Sequence, residues 1–244
     1  MKLQLRKFTK FVDKTFIEGG KDAKDPVLLV SVAAVIQNPW AGRGFVEDIK
    51  PEILELGHFE SDDAYIDPLV SSIETHLDEN SHLLFSYHGL PLSHIRRADS
   101  TGKHCQKKDN CCTLIDEANS SCYAHHCMMT TLAVTKKLGL KESSWSISYQ
   151  SRLGPVKWLR PSTIEMVEEL AHKEIQKLII ISPAFLADGL ETLEELDIEI
   201  REHYAEHGGG KLEVISCLND NSDWIEGLSS LVRRRFSTLP LMES

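Results

Sequence analysis

Three groups of residues in this chain are of types that do chemistry. The first is His88, which closes the run Leu83-Leu84-Phe85-Ser86-Tyr87-His88 just before Gly89-Leu90-Pro91. An apolar run of this kind reads as a buried parallel strand, and ligands of open α/β sheets gather at strand carboxyl ends. An imidazole there titrates near neutral pH and can take up a proton or bind a metal. For the residue taken alone, a capping or core histidine is the plainer reading. The second group is Asp188, Glu191, Glu195 and Glu199, which share one stripe of a helix starting near Asp188. Like charges at this spacing repel by a few tenths of a kcal/mol per pair, on the order measured in helices, unless a cation compensates. The stripe therefore suggests a path for cations or protons, with a solvated acidic face near a helix N-terminus as the alternative. The third group is cysteine: five of the six fall between Cys105 and Cys127. Clustering of that density suits a metal better than disulfides in a reducing compartment.

The surrounding pattern supplies the elements that must hold these groups. Asp62 or Asp63 can cap a helix to about Leu77, with Ile66, Leu69, Val70, Ile73 and Leu77 on one face. The strand ending at His88 follows, then a polar, cysteine-rich stretch over 92–122. Met128 to Leu138 has helical spacing and stops at Gly139. Further strands are expected at Trp145–Tyr149, Lys177–Ser182 and Leu212–Cys217, separated by helices at Thr163–His172 and Asp188–His207, with a last helix at Asp223–Arg233. Alternation of helix and strand predicts an α/β fold with a parallel, right-handed, doubly wound sheet. Upstream, Val27 to Ile36 reads as a buried strand, Asn38 to Gly44 as a turn-rich loop and 51–57 as a short helix.

Bulk properties narrow the function. A formal charge of −10 disfavours a general nucleic-acid binder, which needs a basic surface. Hydrophobic residues at 41% and charged residues at 26% are those of an ordinary globular protein. No apolar run reaches the ~18 residues of a membrane span, and the basic start Met1 to Lys7 lacks the apolar core of a secretory signal. The expected compartment is the cytoplasm. Arg233-Arg234-Arg235 is a candidate peripheral contact with acidic lipid, a solvated helix end being the plainer reading. A homodimer is neither specified nor excluded.

In combination, several motifs resemble ferrochelatase. They are Tyr87-His88-Gly89-Leu90-Pro91; Tyr149-Gln150-Ser151-Arg152 with Gly154, Trp158 and Leu159; Pro183-Ala184-Phe185; Asp188-Gly189-Leu190-Glu191-Thr192-Leu193-Glu194-Glu195; Cys217-Leu218-Asn219; and Trp224-Ile225. They stand in the family's order over about residues 58–235. The resemblance implies a Rossmann-like, chelatase-type sheet that is one complete half of a two-half fold, with porphyrin bound between the halves. It implies insertion of ferrous iron, as substrate, into protoporphyrin or coproporphyrin in heme synthesis. His88 and Glu191 fall on the family's catalytic residues, and His88, Glu191, Asp188 and Glu195 on its path for the substrate iron. Two pyrrole N–H protons must leave as the metal enters, so a base near neutral pKa is useful. Carboxylates hold divalent iron loosely enough to release it. Tyr87, beside His88, and Arg152, suited to a porphyrin propionate or to an ordinary ion pair, are the expected substrate-binding residues. Trp158 and Trp224 are read as packing residues. A half-chelatase that binds a tetrapyrrole or an iron–sulfur group without turnover is the alternative.

Two segments depart from the family. Residues 1–57 resemble instead the start of an amino-acid synthesis family, in Lys2-Leu3-Gln4-Leu5-Arg6-Lys7-Phe8 and Asn38-Pro39-Trp40-Ala41-Gly42-Arg43. This divides the chain into a foreign segment over 1–57 and the chelatase-like domain over 58–244. The second departure is a polar insert at about 95–122 bearing Cys105, Cys111, Cys112 and Cys122. Four thiolates so placed suit zinc or a [2Fe–2S] cluster. Some bacterial ferrochelatases carry an iron–sulfur cluster on an internal insertion, which makes [2Fe–2S] the first reading and zinc the second. Cys127 is the thiol expected to be left out, because cluster-free members of the family also carry it. The adjacent pair Cys111-Cys112 is expected to point apart. His104, His125 and His126 are substitute ligands or surface histidines, and Cys217 is expected to be buried and inert.

Overall fold

The computed structural model describes residues 56–237, apart from 109, 115 and 153. The strand at 27–36, the loop at 38–44, almost all of the short helix at 51–57 and the boundary itself therefore fall at or outside the edge of the described residues.

Four parallel strands form one sheet in the order β2-β1-β3-β4, where β1 is Ser81–His88, β2 Trp145–Gln150, β3 Lys177–Ile181 and β4 Lys211–Val214. The helices are α1 (Asp63–Glu74), α2 (Leu92–Ala98), α3 (Tyr123–Lys137), α4 (Thr163–His172), α5 (Arg201–Glu206) and α6 (Ser222–Ser237). A π-helix, Glu191–Ile200, leads directly into α5. The chain leaves β1 for β2 on one side and returns for β3 on the other, so the direction of winding reverses between β1 and β3. Ligands of open α/β sheets bind at the carboxyl ends of strands at such a reversal. The expected doubly wound parallel sheet is present.

Strand alternation assigns the two faces. Leu83, Phe85 and Tyr87 of β1 belong with Ile179 and Ile181 to a cluster built with Tyr65, Ile66, Ile73, Tyr123, Val134 and Trp224 from α1, α3 and α6. Leu84, Leu178, Ile180 and Leu212 belong to a second cluster with Val167, Leu170, Leu196, Ile200 and Tyr204 from α4, the π-helix and α5. Helices therefore cover both faces, and each fully buried aliphatic side chain contributes about 1.5–3 kcal/mol of burial energy.

Local signals set the helix starts. Asp62 caps α1, its carboxylate accepting the Ala64 N–H at 2.9 Å. Ser162 and Glu165 form a capping box that opens α4 beside the end of β2. Gly89 donates its N–H to the Gln150 carbonyl at 2.8 Å, and a Cβ at residue 89 would stand 2.6 Å from that oxygen. Only glycine lets the chain leaving β1 approach the end of β2 so closely. A helix that the pattern did not show is α2, inside the stretch given only as polar and cysteine-rich. With Ile95 as its one buried residue, it carries too little apolar periodicity to be seen.

Candidate functional site

At the carboxyl edge of the sheet a cavity of about 630 Å³ opens between the β2–α4 connection and the π-helix. Its wall includes Gln150, Ser151, Arg152, Ile164, Leu190, Glu191, Glu194, Glu195 and Glu199. Among the described lining residues Arg152 is the only cation. The π turn explains the density of acid. With i→i+5 bonding, residues four and five apart lie over one another, so 190 and 191, then 194 and 195, then 199 face the same side. The expected stripe assumed 3.6 residues per turn. Of its members Glu191, Glu195 and Glu199 line the cavity, as does Glu194, which it did not include.

Glu195 is held in place. It accepts the Ser151 backbone N–H at 2.7 Å and the Ser151 hydroxyl at 2.6 Å. Ser151 takes a φ of 61°, the left-handed region, which lets both its donors meet one carboxylate. Nothing in the local pattern announces this contact. Arg152 lies at the rim, half-exposed, with its guanidinium 3.5 Å from Glu165 of the capping box. The structure thus shows the ion pair and the cavity position together.

Asp188 is placed differently from the rest of the stripe. Its carboxylate accepts the Cys217 N–H at 3.0 Å, the Thr192 hydroxyl at 3.1 Å and the Asn219 side chain at 2.6 Å. Asn219 accepts the Asp188 N–H in return at 2.9 Å. Burial alone would raise the Asp188 pKa, but the bonds from Asn219, Cys217 and Thr192 outweigh it and hold the carboxyl below the ordinary aspartate range. Both oxygens are engaged in joining the β4–α6 connection to the start of the π-helix. Asp188 positions the helix and is not among the residues that line the cavity.

His88 sits at the mouth of β1 in register with Gln150. Its ring stands edge-on to Phe185, with centroids 6.1 Å apart, in the crevice between the exits of β1 and β3. Its parity puts it on the face covered by α4 and the π-helix, although it is not part of the cavity wall itself. Beneath it lies a buried polar layer: the Ser86 hydroxyl bonds to Gln150 at 2.6 Å and to Thr163 at 2.9 Å, and Ser148 reaches Thr163 at 3.0 Å. Six buried side-chain polar atoms among the described residues have no partner, and four belong to this edge: His88 Nδ1, Gln150 Nε2, Ser182 Oγ and Trp158 Nε1. Buried polar groups without a protein partner are rare, and four of them gather at this one edge. The polar layer was legible in the alternation Ser146-Ile147-Ser148-Tyr149-Gln150 but was not singled out.

Tyr87 requires a correction. Successive strand residues point to opposite faces, so Tyr87 and His88 cannot share one site. Tyr87 is fully buried, with its hydroxyl 2.8 Å from that of Thr131 on α3. It packs the core and offers no surface to a substrate. Trp224 is a packing residue, as expected, against Phe59 and Tyr65. Trp158 is more than that, because its indole N–H is one of the orphaned donors.

The insert is compact. Cys105 and Cys122 are buried, and the Cys111 and Cys112 sulfurs lie 3.9 Å apart. That pair therefore does not point apart: it sits in a turn, where the alternation of a strand does not apply. Burial first, then the neighbouring thiols of Cys122 and Cys111, push the Cys105 thiol up to about 11. Burial and Cys111 push Cys112 up to about 12. His104, His125 and His126 are not surface residues. Each is buried, and their ring nitrogens meet the carbonyls of Cys111 at 3.0 Å, Cys112 at 2.7 Å and Ser120 at 2.8 Å. A carbonyl only accepts, so each imidazole donates there and orients the cysteine-bearing backbone. Asp99 does the same for Cys105, accepting its N–H at 2.8 Å. Cys127 is fully buried, whereas Cys217 is half-buried near Asp188, its pKa raised by burial and then by that carboxylate.

Comparison with known proteins agrees with the geometry. A family model described as Ferrochelatase matches residues 30–236, a range that reaches into the segment read as foreign. The chain is 41% identical to the ferrochelatase of Pseudomonas syringae pv. syringae (strain B728a) over 189 residues, covering 77% of this chain and 56% of that protein. It is 41% identical to the ferrochelatase of Stutzerimonas stutzeri (strain A1501), covering 77% and 55%, and 38% identical to that of Azotobacter vinelandii (strain DJ / ATCC BAA-1303), covering 75% and 54%. The chain thus spans a little over half the length of the curated relatives it matches.

Proposed function

The chain belongs to the ferrochelatase family, and from that premise we propose that it forms the metal-delivering wall of a site that inserts ferrous iron into a porphyrin. The observation that carries this reading is the carboxyl edge of the sheet, where an acid-lined cavity adjoins four buried polar atoms without partners. Glu191, Glu194, Glu195 and Glu199 bind and pass the iron as a hard-to-borderline divalent ion. His88, at the neighbouring strand mouth, accepts a pyrrole proton as the iron–nitrogen bonds form. Arg152 pairs with a propionate, and the exposed Ile164 and Leu190 meet the macrocycle's apolar face. The reaction class is that of a chelating lyase, with protoporphyrin or coproporphyrin as the substrate and heme synthesis as the setting.

The insert fits a four-cysteine group in its donor chemistry. Burial first, then neighbouring thiols, raise the pKa of Cys105, Cys112 and Cys122, and a cation among these thiols offsets both. We assign these four residues to a [2Fe–2S] cluster, with zinc as the second choice, and leave out Cys127. When bound, the group supplies a cross-link between the insert and the start of α3.

The test is direct. Purified chain given ferrous iron and porphyrin should bleach the free-base absorbance bands, and His88→Ala should abolish this. If porphyrin quenches tryptophan fluorescence with no bleaching, the chain is a binding half-site. A colourless, metal-free protein would remove both assignments for the insert.

A further inference from the structure

The ligand spacing that lines the cavity does not stop at its edge. Every fourth residue from Glu191 is a potential metal ligand: Glu191, Glu195, Glu199, His203 and His207. Glu199 still faces the cavity, and His203 lies one turn further along α5, about 5–6 Å away on helical pitch. On the adjacent helix α4, Ile164 lines the cavity and Glu168 is one turn further on. The two helices therefore present Glu168, His203 and His207 together just below the cavity. The Glu168 carboxylate is 2.8 Å from His203 Nε2 and 3.8 Å from His207 Nε2, and all three ligand atoms lie within 4.8 Å of one another. Ligands about 2.0–2.1 Å from a tetrahedral ion stand roughly 3.4 Å apart, so rotamer-sized movements suffice to close the site.

Two further features suit it to a metal. His207 donates its Nδ1–H to the His203 carbonyl at 2.8 Å, which leaves the Nε2 lone pair directed away from the helix and toward the cluster. All three side chains are partly exposed, so a hydrated ion can reach them. Two imidazoles and one carboxylate select borderline first-row divalent ions over magnesium or calcium, and they leave a coordination position open.

We infer that Glu168, His203 and His207 form a docking site for a borderline divalent cation at the outer end of the cavity's carboxylate row. The site captures the ion with nitrogen ligands and hands it to Glu199, from which Glu195 and Glu191 lead inward. This assignment rests on the reading that the cavity receives iron. Its test does not depend on turnover.

Cobalt(II), titrated into the untagged full chain without porphyrin, reports the site by the visible bands of a nitrogen-ligated, low-coordinate ion. A saturable set of bands is expected that is kept in the Glu191→Gln/Glu195→Gln variant and in His58→Ala, a ligand of the other His/Glu cluster, and lost in His203→Ala/His207→Ala. Glu168→Gln, which removes a direct ligand, should weaken binding by more than the about 10–100-fold typical of groups that only support a ligand. If the double histidine variant keeps the bands, or Glu168→Gln binds as tightly as the parent, the cluster is only an ion pair bracing α4 against α5. Absence of iron insertion in the parent chain would overturn the functional reading while leaving this titration to stand or fall by itself.

Discussion

The two faces of the sheet meet at the same carboxyl edge and differ in what they leave unsatisfied. On the face toward α1, α3 and α6, the Tyr87 hydroxyl meets Thr131, Tyr65 donates to the Pro183 carbonyl at 2.5 Å and Tyr123 donates to the His88 carbonyl at 2.7 Å. On the other face, His88 Nδ1, Gln150 Nε2 and Ser182 Oγ are buried without partners beside a cavity crowded with carboxylates. Both faces carry a buried apolar cluster, but only one brings polar side chains without protein partners to the carboxyl edge. That edge is where ligand chemistry is placed. Both faces come from the same strands, one residue out of phase.

The sharpest way to break this contrast is on the satisfied side. Phe85→Ala deletes a fully buried ring of the aromatic face and is expected to cost about 3–5 kcal/mol in urea denaturation. A loss below about 1 kcal/mol would mean that the ring does not pack in this face's cluster.

Asp188→Ala comes next. It strips a charged acceptor from the Cys217 N–H, the Thr192 hydroxyl and Asn219, at an expected cost of about 1.5–3 kcal/mol, read as a lowered thermal midpoint. Unchanged stability with impaired cobalt loading would return Asp188 to the metal row.

Tyr87→Phe tests the parity argument more gently. Removing the hydroxyl that meets Thr131 should cost about 1 kcal/mol and leave porphyrin quenching of tryptophan fluorescence as it was. Weakened quenching at constant stability would place Tyr87 in the site after all.

A pH dependence is set at the opposite end of β1. His82 bonds to Ser146 at 2.9 Å, and burial, then the nearby Lys173, lowers its pKa from 6.5 to about 4. A histidine depressed in the folded state stays neutral there while the unfolded chain takes up a proton. Its contribution is therefore complete above pH 6.5 and is lost as pH falls toward about 4. Thermal midpoints between those pH values should fall less steeply in His82→Gln than in the parent, and equal slopes would assign the acid sensitivity elsewhere.

What was legible in the sequence was what local periodicity encodes. Thr163–His172 is helical over the span its pattern gave. The strand ending at His88 and the acids at 191, 195 and 199 were visible because their spacing is a property of neighbours along the chain. The insert was visible only as composition. Its α2 is too short and polar to show a period, and the approach of Cys105 and Cys122 to Cys111 and Cys112 depends on a turn path that no spacing rule specifies.

By itself, then, the sequence determined the order and type of the elements, the alternation of the strands and the supply of carboxylates, because each rests on contacts a few residues apart. Tertiary structure decided which of those groups face one another. It drew Asp188 to Asn219, clamped Glu195 with Ser151 and widened the helical turn so that Glu194 joins the cavity. Each of these depends on a partner brought from another strand or loop, or on a hydrogen-bond pattern set by packing, and a linear pattern carries no record of either.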